Sequence, residues 1–142
     1  MAEAPVKRIL FYRLRGGEDL LEAIKRRAEE GGVESGVFMA IGALRRASFG
    51  YFMGSRREYK KIALDRQVEL LSCVGDISKR EDGETVVHAH IVVGDEDGRA
   101  YGGHLMEGSI IAEMVELAIL DAPNLKLKRT LDPRTGLYLL KL

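Results

Sequence analysis

The segment His88-Ala89-His90-Ile91-Val92-Val93-Gly94-Asp95-Glu96-Asp97-Gly98-Arg99-Ala100-Tyr101-Gly102-Gly103-His104 holds all 3 histidines of a 142-residue chain. It reads as a β-hairpin. Thr85 to Val93 is the first strand. Val87, Ala89 and Ile91 suit a core, while His88 and His90, two apart, share the other face. Asp95 and Arg99 flank Glu96-Asp97-Gly98, a three-residue loop with glycine at the left-handed position, which is a favoured hairpin geometry. Pairing Asp95 with Arg99 puts His90 directly opposite His104 on the second strand, Ala100 to Met106, with His88 diagonal to it. Cβ atoms directly opposite are about 4.5–5.5 Å apart and diagonal ones about 7–8 Å, so three imidazoles can reach one ion. Parity decides this, because a two-residue loop would turn His104 to the opposite face. Gly102-Gly103 beside it fits a crowded site or a bulge.

Neutral imidazole is the commonest metal-binding side chain. Three of them on zinc leave the fourth position open to water or to a carboxylate such as Glu107 or Glu113. The bland alternative is three ordinary strand histidines satisfied by hydrogen bonds, since no CxxC or HExxH spacing accompanies them.

Outward from the hairpin, Val6 to Leu14 reads as a strand and Asp19 to Glu30 as an amphipathic helix stopped by Gly31-Gly32. Val37 to Ile41 and Leu44 to Met53 read as two strands broken at Gly42. Glu58 to Leu64 returns after a turn at Ser55-Arg56-Arg57. Val68 to Ile77 is apolar enough for a strand buried on both faces. Ser109 to Leu120 reads as a second helix capped by Ser109, with Ile111, Met114, Val115 and Ala118 as its stripe. Its apolar residues wrap more than one face, which suggests burial against a neighbouring subunit. Lys126 to Leu131 and Leu137 to Leu142 read as a final hairpin. The expected fold is α+β, one domain over 1–142, with a central, mainly antiparallel β-sheet and two main helices.

The chain has 22 basic and 22 acidic side chains and a net charge of zero, which argues against a diffuse nucleic-acid footprint. Local basic groups stand out at Arg45-Arg46, Arg56-Arg57, Lys60-Lys61 and Lys126-Lys128-Arg129, read first as solvated faces. The single cysteine, Cys73, excludes an intrachain disulfide and reads as a buried inert thiol. No signal-like or membrane-spanning segment is visible, so a cytoplasmic location without membrane partners is expected.

The strings Ala40-Ile41-Gly42-Ala43-Leu44, Gly50-Tyr51-Phe52, His88 to Gly94 and Asp97 to Leu105 resemble the plant and prokaryote conserved (PPC) domain over nearly the whole chain. The resemblance implies an α+β fold with a central antiparallel sheet, a homotrimer and, as in some prokaryotic members, a zinc site on His88, His90 and His104. Stand-alone members are described as predicted DNA-binding proteins. The Arg-Gly-Arg-Pro core of the plant AT-hook is absent here, so DNA as a partner would be met without that hook. The expected role is a homotrimeric, DNA-associated regulatory protein with a three-histidine metal site. The alternative is a metal-dependent enzyme or small-ligand-binding protein using that site, with Glu107 or Glu113 as general base.

Overall fold

The computed structural model describes residues 1–141. The end of the last expected strand, Leu142, lies outside the described residues. Nine strands and one α-helix run in the order β1 Arg8–Arg15, α1 Leu20–Glu30, β2 Gly36–Met53, β3 Glu58–Leu64, β4 Val68–Arg80, β5 Thr85–Gly94, β6 Ala100–Leu105, β7 Ile110–Asp121, β8 Lys128–Asp132 and β9 Leu137–Lys141, with a 3-10 turn at Pro123–Leu125. All pairings are antiparallel except β4 with β8. The expected antiparallel sheet is therefore present.

The second expected helix is not. The stretch from Ser109 to Leu120 instead leads into and forms most of the strand β7, lying between β1 and β2. Ile111, Val115, Leu117 and Ile119 are fully buried, a period-two pattern that the neighbouring strands turn into a ladder. Ser109 caps no helix. Its Oγ–H donates to the Ser48 carbonyl and its Oγ accepts from the Ser48 N–H, both at 2.9 Å. The only α-helix among the described residues, α1, is the one begun by Asp19. That carboxylate accepts from the Leu21 and Glu22 N–H groups at 3.0 and 3.3 Å, a capping geometry. Leu20, Ala23, Ile24 and Ala28 make its buried face.

Two strand readings are also corrected. The expected break at Gly42 is a register shift inside one long strand, β2. The first half of β2 pairs with β7 and β4, and the second half with β3 and β6. The pairings β2–β4, β4–β5, β5–β6 and β6–β2 thereby close on themselves. β4 is not buried on both faces. Val68, Leu70, Cys73 and Ile77 are buried, whereas Leu71 and Val74 are exposed. The inward side chains Phe38, Leu44, Phe49, Leu70, Cys73, Ile91 and Leu105 join the helix residues in one core.

Candidate metal centre

The β5–β6 hairpin forms as its sequence requires. The Asp95 N–H donates to the Arg99 carbonyl at 3.0 Å, closing a three-residue loop in which Gly98 has φ +75°. The register runs from Gly94 opposite Ala100 to His90 opposite His104. Ala89, Ile91 and Val93 point into the core, so His88 and His90 face outward with His104. Gly103 permits the close approach of β2: a Cβ there would sit 2.6 Å from the Gly50 carbonyl oxygen.

The three rings cluster. Centroid separations are 5.2 Å for His88–His104, 5.5 Å for His90–His104 and 5.6 Å for His88–His90. One ring nitrogen from each lies within 4.8 Å of the others. Tyr59 of β3 stacks on His104 with centroids 4.9 Å apart. No carboxylate joins the group among the described residues. Glu107 lines a groove beside His104, whereas Glu113 is exposed on β7.

His104 is the most constrained of the three. Burial, with unfavourable charge interactions from His88, His90 and Arg129, pushes its imidazole down to about 4. It is therefore neutral at ordinary pH and keeps a lone pair. Its Nδ1 is buried without a hydrogen-bond partner. An orphaned buried nitrogen is rare in a folded protein and calls for a ligand or a compensating contact.

Behind His88 lies a feature that the sequence does not reveal. Asp76 stands opposite His88 in the β4–β5 ladder, with Oδ2 at 3.4 Å from His88 Nδ1. Arg129 of β8 donates to the same Oδ2 at 2.7 Å. Arg129 is not the solvated residue expected from its basic neighbours, since it is only 6% exposed. Burial alone would raise the Asp76 carboxyl, but the close approach of His88, the hydrogen bonds from Arg129 and Ser78 and the Arg129 charge outweigh it and hold the group low. The β8–β9 hairpin also walls a groove of about 260 Å³ lined by His88, His104, Tyr59, Val86, Arg129 and Tyr138, among others.

The other expected features divide. Cys73 is buried, and burial pushes its thiol up to about 12. Arg46 pairs with Asp65 at 2.7 Å, and Lys61 donates to the Glu107 carbonyl at 3.0 Å. Arg45, Arg57 and Lys60 are exposed, with no ion-pair partner among the described residues. Among the described residues, no helix is long and apolar enough to cross a membrane.

A sequence model of the family described as the Plants and Prokaryotes Conserved (PCC) domain matches residues 1–123. The chain is similar to a plant- and prokaryote-conserved (PPC) protein from Pyrococcus horikoshii, at 33% identity and a TM-score of 0.91, covering 100% of this chain and 96% of that one. It is similar to a metal-containing protein from Archaeoglobus fulgidus, at 32% identity and a TM-score of 0.89, covering 100% and 99%. It is also similar to a candidate DNA-binding protein from Ralstonia eutropha, at 28% identity and a TM-score of 0.83, covering 93% and 90%. A curated relative, the bifunctional protein GlmU of Synechococcus, is 31% identical over 130 residues, or 91% of this chain. The chain spans only 20% of that protein's length.

Proposed function

The chain belongs to the Plants and Prokaryotes Conserved domain family, and from that premise we propose that it is a homotrimeric, DNA-associated regulatory protein holding a zinc ion on His88, His90 and His104. The observation that carries the metal reading is the convergence of three imidazoles, one of them neutral with a buried, unpartnered nitrogen. The A. fulgidus relative, whose name records a metal, supports it. A bound zinc ion would supply Lewis acidity and a fourth position for water or a ligand. The residues of the chain hold and orient it: His104 braced by Tyr59, and His90 from the strand opposite.

The trimer is supported by one apolar sheet face. Phe11, Ala118, Met39 and Val74 stand in one row across β1, β7, β2 and β4. Phe11, Met39 and Val74 are 69%, 52% and 53% exposed, and Ile9, Val37 and Ile41 extend the patch. Such a surface marks an interaction site. DNA association is supported by the R. eutropha relative's name. It is also supported by three exposed cations without an ion-pair partner among the described residues: Arg45 on β2, Arg57 in the β2–β3 turn, and Lys60 opposite exposed Tyr51. A trimer would present this basic strip three times, which raises avidity without a net positive subunit.

Two measurements test the proposal. Elemental analysis is expected to find one zinc per chain in the wild type and none in His104→Ala, and a wild type that takes up no zinc overturns the metal reading. Anisotropy titrations with duplex DNA are expected to weaken as salt rises. Absence of binding at about 150 mM salt, where screening is physiological, overturns the DNA reading. The groove beside His88 and His104 favours a second reading, a small ligand bound at the metal.

A further inference from the structure

We propose that Arg129 and Asp76 form a positioning device that fixes the His88 ring for metal binding. The β8–β9 hairpin is thus a working part of the site. The assignment rests on the metal reading for its purpose, while its geometry can be tested without metal.

The contacts form a closed ring. Arg129 Nε donates to Ser78 Oγ at 3.0 Å. The Ser78 hydroxyl donates to Asp76 Oδ1 at 3.0 Å. Asp76 Oδ2 accepts from Arg129 Nη2 at 2.7 Å. The third edge of the guanidinium, Nη1, donates to the Tyr138 carbonyl of β9 at 3.1 Å. Tyr138 is held in turn, because its hydroxyl accepts from Arg80 Nη2 at 2.9 Å. The Arg80 guanidinium lies 4.1 Å from the centre of the Tyr138 ring. Both carboxylate oxygens of Asp76 are therefore engaged and its plane cannot swing. The Arg129 and Asp76 side chains are 7% and 18% exposed, so solvent screens the pair weakly.

The carboxylate held in this way faces His88 Nδ1. A carboxylate at that nitrogen selects the tautomer protonated there and leaves Nε2 with the lone pair that a metal needs. Such an outer partner also fixes ring orientation, and its loss commonly costs about 10–100-fold in metal affinity. Arg129 lies beyond residues 1–123, the part that the family model matches. The reinforcement of His88 thus comes from a segment that the family pattern does not include.

The experiment reads the His88 tautomer by nitrogen-detected NMR on metal-free protein, and zinc affinity by chelator competition. In the wild type His88 is expected to be protonated at Nδ1. Asp76→Ala is expected to release the ring to a tautomer mixture and lower zinc affinity about 10–100-fold. Asp76→Asn, whose amide oxygen can occupy the Oδ2 position, is expected to restore the Nδ1–H form. Should an unpaired buried Arg129 unfold Asp76→Ala, the double variant Asp76→Ala/Arg129→Met removes that charge and takes its place. An unchanged tautomer in the folded variant, or unchanged zinc affinity beside a changed tautomer, overturns the proposal. A wild type that takes up no zinc overturns the metal reading, and the tautomer comparison then decides the positioning by itself.

Discussion

His90 and His104 occupy one cross-strand pair of the β5–β6 hairpin, their rings perpendicular and 5.5 Å apart. That pairing exists only because the connecting loop has an odd number of residues. Inserting one residue between Glu96 and Gly98 is expected to rotate the β6 side chains to the opposite face. The loss of zinc uptake with Leu105 turned to solvent would appear in chelator competition together with a lowered urea midpoint.

Stability should depend on pH through His104. Its imidazole is held at about 4 in the folded chain, against 6.5 ordinarily. Above pH 6.5 the ring is neutral in both states, and the stability is at its full value. As the pH falls from 6.5 toward 4, the unfolded ring takes a proton that the folded one refuses, and stability falls; below 4 this contribution flattens. For a half-buried ring screened by solvent, the loss is about 1–2 kcal/mol. Urea denaturation of metal-free protein at pH 7 and pH 4.5 measures it, and His104→Gln is expected to show a shallower pH slope. Asp76, held low by its partners, loses its contribution as the pH falls through its folded value, below the ordinary aspartate range.

Cys73 should be inert while the chain is folded. A thiol pushed up to about 12 carries almost no thiolate at pH 8, and the thiolate is the nucleophile. A thiol reagent at pH 8 is expected to leave native protein unlabelled and to label it stoichiometrically in urea. Rapid labelling of native protein would contradict the burial of this strand.

Asp19 joins two elements through one carboxylate. Oδ1 caps α1, while Oδ2 accepts from the Gly108 N–H ahead of β7 at 2.7 Å. Asp19→Ala is expected to cost about 2 kcal/mol, more than the cap alone at about 1 kcal/mol. Equilibrium unfolding measures the difference. Asp19→Asn, with one acceptor oxygen instead of two, should fall between.

The exposed sheet face carries the assembly prediction. Met39→Glu places a charge in the middle of the apolar row between Ala118 and Val74. Light scattering is expected to change from a trimer in the wild type to a monomer in the variant, with the circular dichroism of the chain unchanged. A monomeric wild type would remove the trimer from the proposed function.

The hairpin bearing the histidines was legible because strand geometry is exact in parity. Counting from Asp95 and Arg99 determines which side chains meet. α1 was legible from its apolar spacing and its terminal glycines, and the structure adds the Asp19 cap. The stretch after Ser109 was misread because it is apolar at nearly every position. A helical stripe through Ile111, Met114, Val115 and Ala118 and a strand stripe through Ile111, Val115, Leu117 and Ile119 are both present in it. β-Branched residues with strands on both sides settle the choice, and those neighbours are remote in sequence. Gly42 was misread as a terminator because a bulge within a strand looks locally like its end.

The sequence by itself determined the histidine-bearing hairpin, its loop, the facing of its residues and the resemblance to a family, because these depend on local geometry and short-range pairing. The tertiary structure alone decided that β7 is a strand, that the second half of β2 pairs with both β3 and β6 and so brings Tyr59 onto His104, and that Arg129 is buried beneath Asp76. Each of these rests on contacts between residues tens of positions apart. No local pattern encodes which distant partner will desolvate a side chain or complete its hydrogen bonds.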